Sequence, residues 1–324
     1  MSILIDKNIS VSEKVHIAVS GGIDSMALMY AVVNSFNSKE IVIHHVCHNI
    51  SKNTNYWCNF VEKSVKDLNK SNVKFMRHDV YISGSNIEAK ARKERYNAIF
   101  NEIDDNGELF LAHHKDDSVE NVMINLFKGR GLNGLTSLKE MTTVKHKSKK
   151  IKLIRPFLKN YTKQELVSYL EENGYTHIHD ESNDSSNYDR NYIRNKAIPM
   201  LNNRFPSLVK NIISSIKSLQ SSKDALDILI KDKVNDLIIE EESYSLDMFN
   251  KLEKVVKNEV LINIFRENGI YQYSQKSINE CVKQMGTMTN NFKPNGCFFF
   301  KSGEKNVNIK YKKTDNGKRV FYID

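Results

Sequence analysis

The chain has few cysteines, and none has the spacing of a chelating motif. The four cysteines among 324 residues, Cys47, Cys58, Cys281 and Cys297, form no CxxC pair. They are too sparse for a disulfide framework or a zinc cage, and they fit a reducing compartment. The sequence therefore predicts a cytoplasmic protein.

Long hydrophobic runs are also absent. No stretch of about 18 apolar residues is present, which argues against a membrane span. The N-terminal sequence MSILIDKNISVSEK lacks the basic segment and apolar stretch of a signal peptide. Hydrophobic residues make up 40% of the chain and are interrupted throughout by charges, so we expect a soluble protein with a buried core.

Acidic residues are outnumbered by basic ones. The formal net charge is +9 at pH 7, which favours a polyanionic partner such as nucleic acid. Codon bias alone could also make a chain rich in lysine, asparagine and isoleucine basic. Charge therefore indicates the kind of partner without proving it.

Strand and helix patterns alternate over the first half of the chain. Short apolar runs suited to buried strands are VHIAVS, EIVIHHV, VKFMRHDV and ELFLAH. Helical patterns lie between and after them, around residues 24–36, 54–69, 86–103 and 116–128. This alternation predicts an α/β fold with a doubly wound, mostly parallel sheet. Ligands bind such sheets beyond the carboxyl ends of the strands, where SGGIDS and HHKDD lie.

The pattern changes near residue 205. Glycine is nearly absent from there to about residue 285, and the periodicity is mostly helical. The C-terminal sequence then predicts short strands, with a hairpin turn at Asn316–Gly317, and we expect aromatic residues such as Tyr311 and Phe321 in the core. We predict a first domain over residues 1–210 and a smaller, basic, mainly helical domain with a β tail over residues 211–324.

The first chemical motif is a glycine loop without a lysine. SGGIDS follows a strand and opens a helix. Gly21 and Gly22 let backbone N–H groups approach an anion at the positive end of that helix, and Ser20 and Ser25 add hydroxyl donors. The lysine of GxxxxGK[ST] is absent. Asp24 would repel a phosphate unless a cation bridges them, which indicates Mg²⁺, although Asp24 could equally cap the helix.

Two further segments carry paired charges. In NIEAKARKERY, Arg92 and Arg95 lie three residues apart and share a helix face, as a solvated basic face would also have. In LAHHKDDSVENVMINLF, Asp117 and Glu120 are helical neighbours that repel each other unless metal, ammonium or solvent separates them. At most one of the adjacent histidines in this segment is expected to face a nucleotide.

A fourth segment contains two arginines. Arg190 and Arg194 lie one helical turn apart in DESNDSSNYDRNYIRNKAIPML. Both could face an anion, because arginine binds phosphate in a planar, bidentate manner. The alternative is that Asp180 or Asp189 holds them in surface ion pairs.

Together these motifs resemble those of the tRNA(Ile)-lysidine synthetases, which are PP-loop N-type ATP pyrophosphatases. SGGIDS is similar to the PP-loop, and NIEAKARKERY and HHKDDSVEN are similar to two further signatures of that family. The RN-x-IR element of the fourth segment matches another. The resemblance covers roughly residues 15–205 and implies a Rossmann-like PP-loop fold.

The resemblance also implies a reaction. ATP would adenylate the wobble cytidine of an isoleucine tRNA with a CAU anticodon, releasing pyrophosphate, and free L-lysine would then displace AMP at C2. The implied catalytic residues are Asp24, Arg92, Asp117 and Glu120, the last two binding lysine. The implied ATP-binding residues are Ser20, Gly21, Gly22, Ile23, Asp24, Ser25 and His114, with Mg²⁺ on Asp24. Arg95, Arg130, Arg190 and Arg194 would bind tRNA or phosphate.

Two rival interpretations stay open. A PP-loop tRNA thiolase would be expected to use paired cysteines or a CxxC motif. A non-catalytic adenine-nucleotide sensor could bind RNA without an acidic pocket for lysine. In the favoured interpretation the basic second domain binds tRNA through its lysines, and a homodimer is left open.

Overall fold

The chain divides into two compact units, Met1–Leu219 and Gln220–Asp324. The computed structural model describes residues 3, 5, 9, 11–48, 53–82, 87–179, 188–240, 242–270, 273–288, 297–302 and 305–324. The division between the units falls inside one helix, Leu208–Leu237, which is 30 residues long. The uniform helical pattern of that region has no break that would mark the division in the sequence.

The first unit is built on a six-stranded sheet. Its strands are β1 Lys14–Ala18, β2 Glu40–Cys47, β3 Val73–Asp79, β4 Glu108–Phe110, β5 Met141–His146 and β6 Lys149–Ile154. They lie in the order β3-β2-β1-β4-β6-β5. Neighbours are parallel apart from the antiparallel pair β5–β6. The predicted doubly wound, mostly parallel sheet is confirmed, and the β5–β6 hairpin is an addition that the sequence patterns did not reveal.

Helices alternate with these strands. They are α1 Ile23–Ser35, α2 Thr54–Asp67, α3 Ile87–Asn101, α4 Lys115–Phe127, α5 Leu132–Leu135, α6 Lys163–Glu172, α7 Asp189–Tyr192, α8 Ile198–Arg204 and α9 Leu208–Leu237, with a π-helical segment Ile193–Ala197 between α7 and α8. Every residue of α1 from Ser25 to Val33 is buried. A helix that is apolar all round is expected at the centre of a core, and α1 packs there with the apolar residues of β1 and β2.

The strand order creates a crevice at the carboxyl ends of two central strands. β1 lies between β2 and β4, so the chain leaves β1 toward one side of the sheet and later returns to its other side. Loops that follow strands on either side of such a reversal diverge and leave a ligand-sized opening. The loop after β1 carries SGGIDS, and the loop after β4 carries His113 and His114.

The second unit combines helices with a small antiparallel sheet. Its helices after α9 are α10 Leu246–Lys251, α11 Lys254–Glu267 and α12 Gln275–Met288, and its strands are β7 Ile238–Glu240, β8 Ser243–Ser245, β9 Cys297–Ser302, β10 Lys305–Lys313 and β11 Arg319–Ile323. The strand order is β7-β8-β11-β10-β9. Gly317 turns the β10–β11 hairpin with a φ of +74°, which confirms the predicted turn.

The core of this unit holds the aromatic residues expected there. Tyr311 is 1% exposed and Phe321 is fully buried.

No helix within the described part of the chain combines the length and apolar character needed to cross a membrane.

Candidate functional site

The loop between β1 and α1 is organised by one hydroxyl group. Ser25 Oγ accepts hydrogen bonds from the backbone N–H groups of Ser20 and Gly21, each at 3.1 Å, and donates to the Gly22 carbonyl at 3.0 Å. Ser20 Oγ also lies 3.1 Å from Ser25 Oγ. The loop is therefore already folded around a polar centre at the end of β1.

Gly21 is required by both conformation and space. Its φ of +96° lies where side chains are disfavoured. An added Cβ would lie 2.8 Å from Ile178 Cδ1 and 3.2 Å from Val61 Cγ2. The Gly21 carbonyl accepts a hydrogen bond of 2.8 Å from the Ile178 amide. Any side chain here would push the loop away from α2 and from the segment after α6.

The N-terminus of α1 suits an anion. Gly22 is the N-cap residue and supplies no side-chain cap, so the first-turn amides, including those of Ile23 and Asp24, have no side-chain acceptor at the cap. Asp24 lies inside the first turn of α1. The alternative that Asp24 caps the helix is therefore wrong, because Gly22 occupies the cap position.

The loop after β4 meets this helix end through His114. Its Nε2 lies 3.6 Å from Asp24 Oδ1 and 3.6 Å from Asp117 Oδ2, and its Nδ1 lies 3.3 Å from Asp116 Oδ2. Burial opposes a charge on His114, but Asp116, Asp24 and Asp117 outweigh it and raise the pKa to about 10. At neutral pH His114 is an imidazolium that joins the two loops.

The neighbouring histidine has the opposite character. Burial lowers the pKa of His113 to about 4. Asp117 tends to raise this pKa, whereas the positive charges of Arg155, Arg190 and Arg92 lower it further. Its Nδ1 is buried and has no hydrogen-bond partner among the residues that the structure describes. His113 is thus a neutral imidazole whose Nδ1 is shielded from solvent.

Asp117 and Glu120 lie side by side on α4 and are buried, with 6% and 1% of their surface exposed. The alternative of a solvated pair is therefore wrong. Arg190 donates from Nη2 to Asp117 Oδ1 at 2.6 Å and from Nε to Glu120 Oε2 at 2.7 Å. Arg194 donates from Nε to Glu120 Oε1 at 2.5 Å and from Nη2 to Glu120 Oε2 at 2.9 Å. Two guanidinium groups separate the carboxylates.

These contacts change the electrostatics of both partners. Burial disfavours the charge of Asp117, yet His114 and Arg190 reverse the effect and lower its pKa. Burial likewise opposes the charge of Arg194, but its hydrogen bond and charge interaction with Glu120 raise its pKa. Arg194 lies on the π-helical segment Ile193–Ala197, a rare geometry that is frequent at functional sites.

The cluster carries an excess of negative charge. Its carboxylates are Asp24, Asp116, Asp117 and Glu120, and its cations are His114, Arg190 and Arg194. One further positive group would neutralise it. Asp24 Oδ1 is buried and makes no hydrogen bond among the described residues, so Asp24 can offer an oxygen to a cation such as Mg²⁺.

The remaining predicted residues lie on the surrounding surface. Arg92 is exposed, with its guanidinium 5.2 Å from the centre of the Tyr96 ring. Arg95 is half-buried, and burial lowers its pKa. Arg130 is exposed in the turn between α4 and α5. Asp189 pairs with Lys128 at 3.3 Å, whereas Asp180 lies outside the described residues.

Two of the four cysteines meet in the fold. Cys47, at the end of β2, forms a disulfide with Cys58 in α2. The two residues are 11 positions apart, a separation that matches no chelating motif. Only the packing of α2 against the sheet brings them together. Cys281 is a buried free cysteine in the second unit.

Comparison with known proteins places the chain in a family. Residues 3–201 match the PP-loop domain. The tRNA(Ile)-lysidine synthase of Buchnera aphidicola subsp. Schizaphis graminum is 31% identical over 82% of this chain and 59% of its own length. The synthases of Wigglesworthia glossinidia brevipalpis and Legionella pneumophila strain Paris are 28% and 29% identical over 86% and 84% of this chain, and 71% and 62% of their own lengths. The chain thus spans about three fifths to seven tenths of these curated relatives.

A solved structure shares the fold. The U34-tRNA thiolase NcsA from Methanococcus maripaludis, with its [4Fe-4S] cluster, superimposes with a TM-score of 0.51 at 17% identity, over 67% of this chain and 75% of its own. The resemblance to tRNA(Ile)-lysidine synthases is confirmed by sequence, and the fold is confirmed by structure. Because the domain match covers more than half of its residues, the chain belongs to the PP-loop domain family.

Proposed function

We propose that this protein ligates free L-lysine to C2 of the wobble cytidine in an isoleucine tRNA with a CAU anticodon, using ATP. One observation carries the proposal. His114 joins the N-terminus of α1, which suits an anion, to the buried acid pair on α4. The names of the relatives supply the substrate class. A site that binds an adenylate beside an ammonium-binding pocket is what such a ligation requires.

ATP is assigned to the loop after β1. The amides of Ser20 and Gly21 donate to Ser25 Oγ, and an arriving phosphate would compete for them as a stronger acceptor. The first-turn amides of α1 complete the anion site. Asp24 would hold Mg²⁺ against the phosphates, because the carboxylate would otherwise repel them.

Lysine is assigned to Asp117 and Glu120. The α-ammonium group of lysine would replace part of the contact that Arg190 and Arg194 make with these carboxylates. The displaced guanidinium groups would then be available to phosphate oxygens, the role that the sequence predicts for them. Binding through the α-ammonium leaves the ε-amine free to attack.

The chemistry then needs a proton acceptor. The cytidine O2 attacks the α-phosphate and pyrophosphate leaves; the ε-amine next attacks C2 and AMP leaves. The ε-amine has an ordinary pKa of about 10.4, so its protons must be removed during the attack. We assign this role to His113, which is neutral at pH 7 and keeps Nδ1 unbonded among the described residues.

The tRNA is assigned to two kinds of surface. Tyr188 and Tyr192 precede and follow Arg190 by two residues and are 52% and 56% exposed, so their rings can stack on unpaired bases. In the second unit, α11 and α12 form a groove lined by four lysines, Lys254, Lys257, Lys276 and Lys283. Lysines contact phosphates, and their binding should weaken with added salt.

Pyrophosphate release from ATP tests the proposal. Release that requires both lysine and the CAU-anticodon tRNA supports ligation, whereas ATP binding without release would indicate a sensor. Asp117→Asn should raise the KM for lysine much more than the KM for ATP. Glu171→Gln, which alters an exposed carboxylate on α6, serves as the matched control. Equal changes in both KM values for Asp117→Asn would refute the assignment of lysine to this pair.

The thiolase alternative keeps one supporting observation, the contact between Cys47 and Cys58. Release of pyrophosphate that depends on tRNA and a sulfur donor, and not on lysine, would favour it. A homodimer also stays a prediction, which sedimentation at several protein concentrations would test.

A further inference from the structure

Three metal-ligating side chains meet behind the loop after β1. His45 and Cys47 lie on β2, two residues apart and therefore on one face of the strand, and Cys58 lies on α2. One ring nitrogen of His45 and the two sulfur atoms lie within 4.8 Å of one another. The exposed fractions of the three residues are 4%, 1% and 1%.

The hydrogen bond of His45 selects its ligating nitrogen. Nδ1 lies 2.8 Å from the Val19 carbonyl, which can only accept, so Nδ1 carries the proton and Nε2 keeps a lone pair. Metal-binding histidines usually donate their other N–H to a carbonyl or carboxylate in this way.

We propose that His45, Cys47 and Cys58 bind a Zn²⁺ ion in the reduced protein, and that the metal and the disulfide are alternative states of one site. A neutral imidazole and two thiolates are ligands that Zn²⁺ prefers, and three protein ligands leave a fourth tetrahedral position for water. Buried ligands that already lie together need little rearrangement to close around an ion.

Electrons and protons balance in the exchange between the disulfide state and the metal-bound state. A dithiol reductant transfers two electrons and two protons to the Cys47–Cys58 disulfide and becomes a disulfide itself. Zn²⁺ then displaces the two thiol protons, which pass to solvent. In the reverse direction a small-molecule disulfide accepts two electrons from the thiolates and two protons from solvent and becomes two thiols; the Cys47–Cys58 disulfide forms again, both sulfur ligands are lost, and the ion is released.

The site lies on two elements that support the nucleotide loop. His45 bonds to Val19, the residue before Ser20. Cys58 lies one helical turn before Val61, whose Cγ2 is the α2 atom closest to the Cβ position of Gly21. An ion bound here would therefore tie β2 to α2 on either side of the loop.

Cobalt binding to the whole protein tests the proposal. The protein is reduced with a dithiol, transferred to metal-free buffer containing a phosphine reductant, and titrated with Co²⁺. One equivalent should produce a sulfur-to-cobalt charge-transfer band and the visible bands of a tetrahedral site, and Zn²⁺ should abolish both. The disulfide form of the same protein should give neither band, a comparison that needs no variant.

Variants identify the ligands. Cys47→Ser and Cys58→Ser should each lose about half of the charge-transfer intensity, and His45→Gln should weaken binding by at least about tenfold. Cys281→Ala and Cys297→Ser, which alter the cysteines outside the pair, should bind Co²⁺ as the wild type does. The proposal is overturned if the reduced wild type shows no charge-transfer band at one equivalent, or if the band persists when Cys47 and Cys58 are both serine.

Discussion

A row of three histidines should make the first unit sensitive to mild acid. His16 on β1, His44 on β2 and His78 on β3 are joined by Nδ1···Nε2 contacts of 2.8 Å, from His16 to His44, and 2.9 Å, from His44 to His78. Burial, reinforced by the charge of Lys14, lowers the pKa of His16 to about 4. Burial, reinforced by the neighbouring histidines, lowers that of His44 to about 3.

The sign and size of the effect follow from these values. Because the pKa is lower in the folded chain than the unfolded value of 6.5, the unfolded chain takes up protons first. The stabilising contribution is therefore complete above pH 6.5 and is lost as the pH falls toward about 4. From pH 7.5 to 5.5 each of His16 and His44 should cost about 1 kcal/mol of unfolding free energy. The two costs add, because neither ring is protonated in the folded chain at pH 5.5.

The double variant His16→Gln, His44→Gln isolates this contribution. Glutamine does not titrate, so the variant should lose about 2–3 kcal/mol less than the wild type between pH 7.5 and 5.5, whatever its absolute stability. Urea unfolding at each pH measures the difference. Trp57, the single tryptophan, lies on α2 and reports on the first unit by fluorescence.

Comparing wild type with the double variant cancels the contributions of other titrating groups to the pH dependence. His114, whose raised pKa has the opposite effect, is present in both proteins and cancels. The single variant His16→Gln gives half of the difference if the double variant does not fold. If the unfolding free energies of wild type and variant changed equally with pH, the view that burial holds these rings neutral would be refuted.

Three further results are expected. Gly21→Ala should weaken ATP binding and lower stability, since its Cβ would lie 2.8 Å from Ile178 Cδ1. Gly129 has a similar positive φ of +64°, but an added Cβ would have no atom within 4 Å. Gly129→Ala should therefore show only the backbone strain of about 1–2 kcal/mol. Equal ATP affinities for the two variants would contradict the packing argument. His113→Asn should lower kcat by about 10²- to 10⁴-fold with little change in the KM for ATP, whereas His146→Asn, at a half-buried position on β5, should not; unchanged kcat would exclude His113 as the proton acceptor. Lys254→Ala with Lys257→Ala should reduce the salt dependence of tRNA binding, the slope of log K against log salt, by about 2, and Lys66→Ala on α2 should leave it unchanged; identical slopes for all three proteins would place the tRNA elsewhere.

Local patterns in the sequence were sufficient for much of the fold. The apolar run before SGGIDS predicts β1, and the helix period after it predicts α1, because both signals come from residues a few positions apart. The same holds for α2 to α4 and for the hairpin at Asn316–Gly317, where Gly317 adopts the positive φ that the turn needs. The strands β5 and β6 were missed because their alternation is short and rich in lysine.

The chemistry of the site depended on contacts that no local pattern contains. Arg190 and Arg194 reach Asp117 and Glu120 across 70 or more residues. The order of the strands places the loop of β4 beside the loop of β1, so His114 becomes charged between Asp24 and Asp117. Cys47 meets Cys58 because α2 packs on β2.

The sequence by itself determined which residue types stand at the ends of the strands, since strand and helix periods are read over short distances. The tertiary structure decided which of those residues touch and which are charged. Partner choice and pKa depend on burial and on distances between segments far apart in the chain, and only the packed sheet and helices set those quantities.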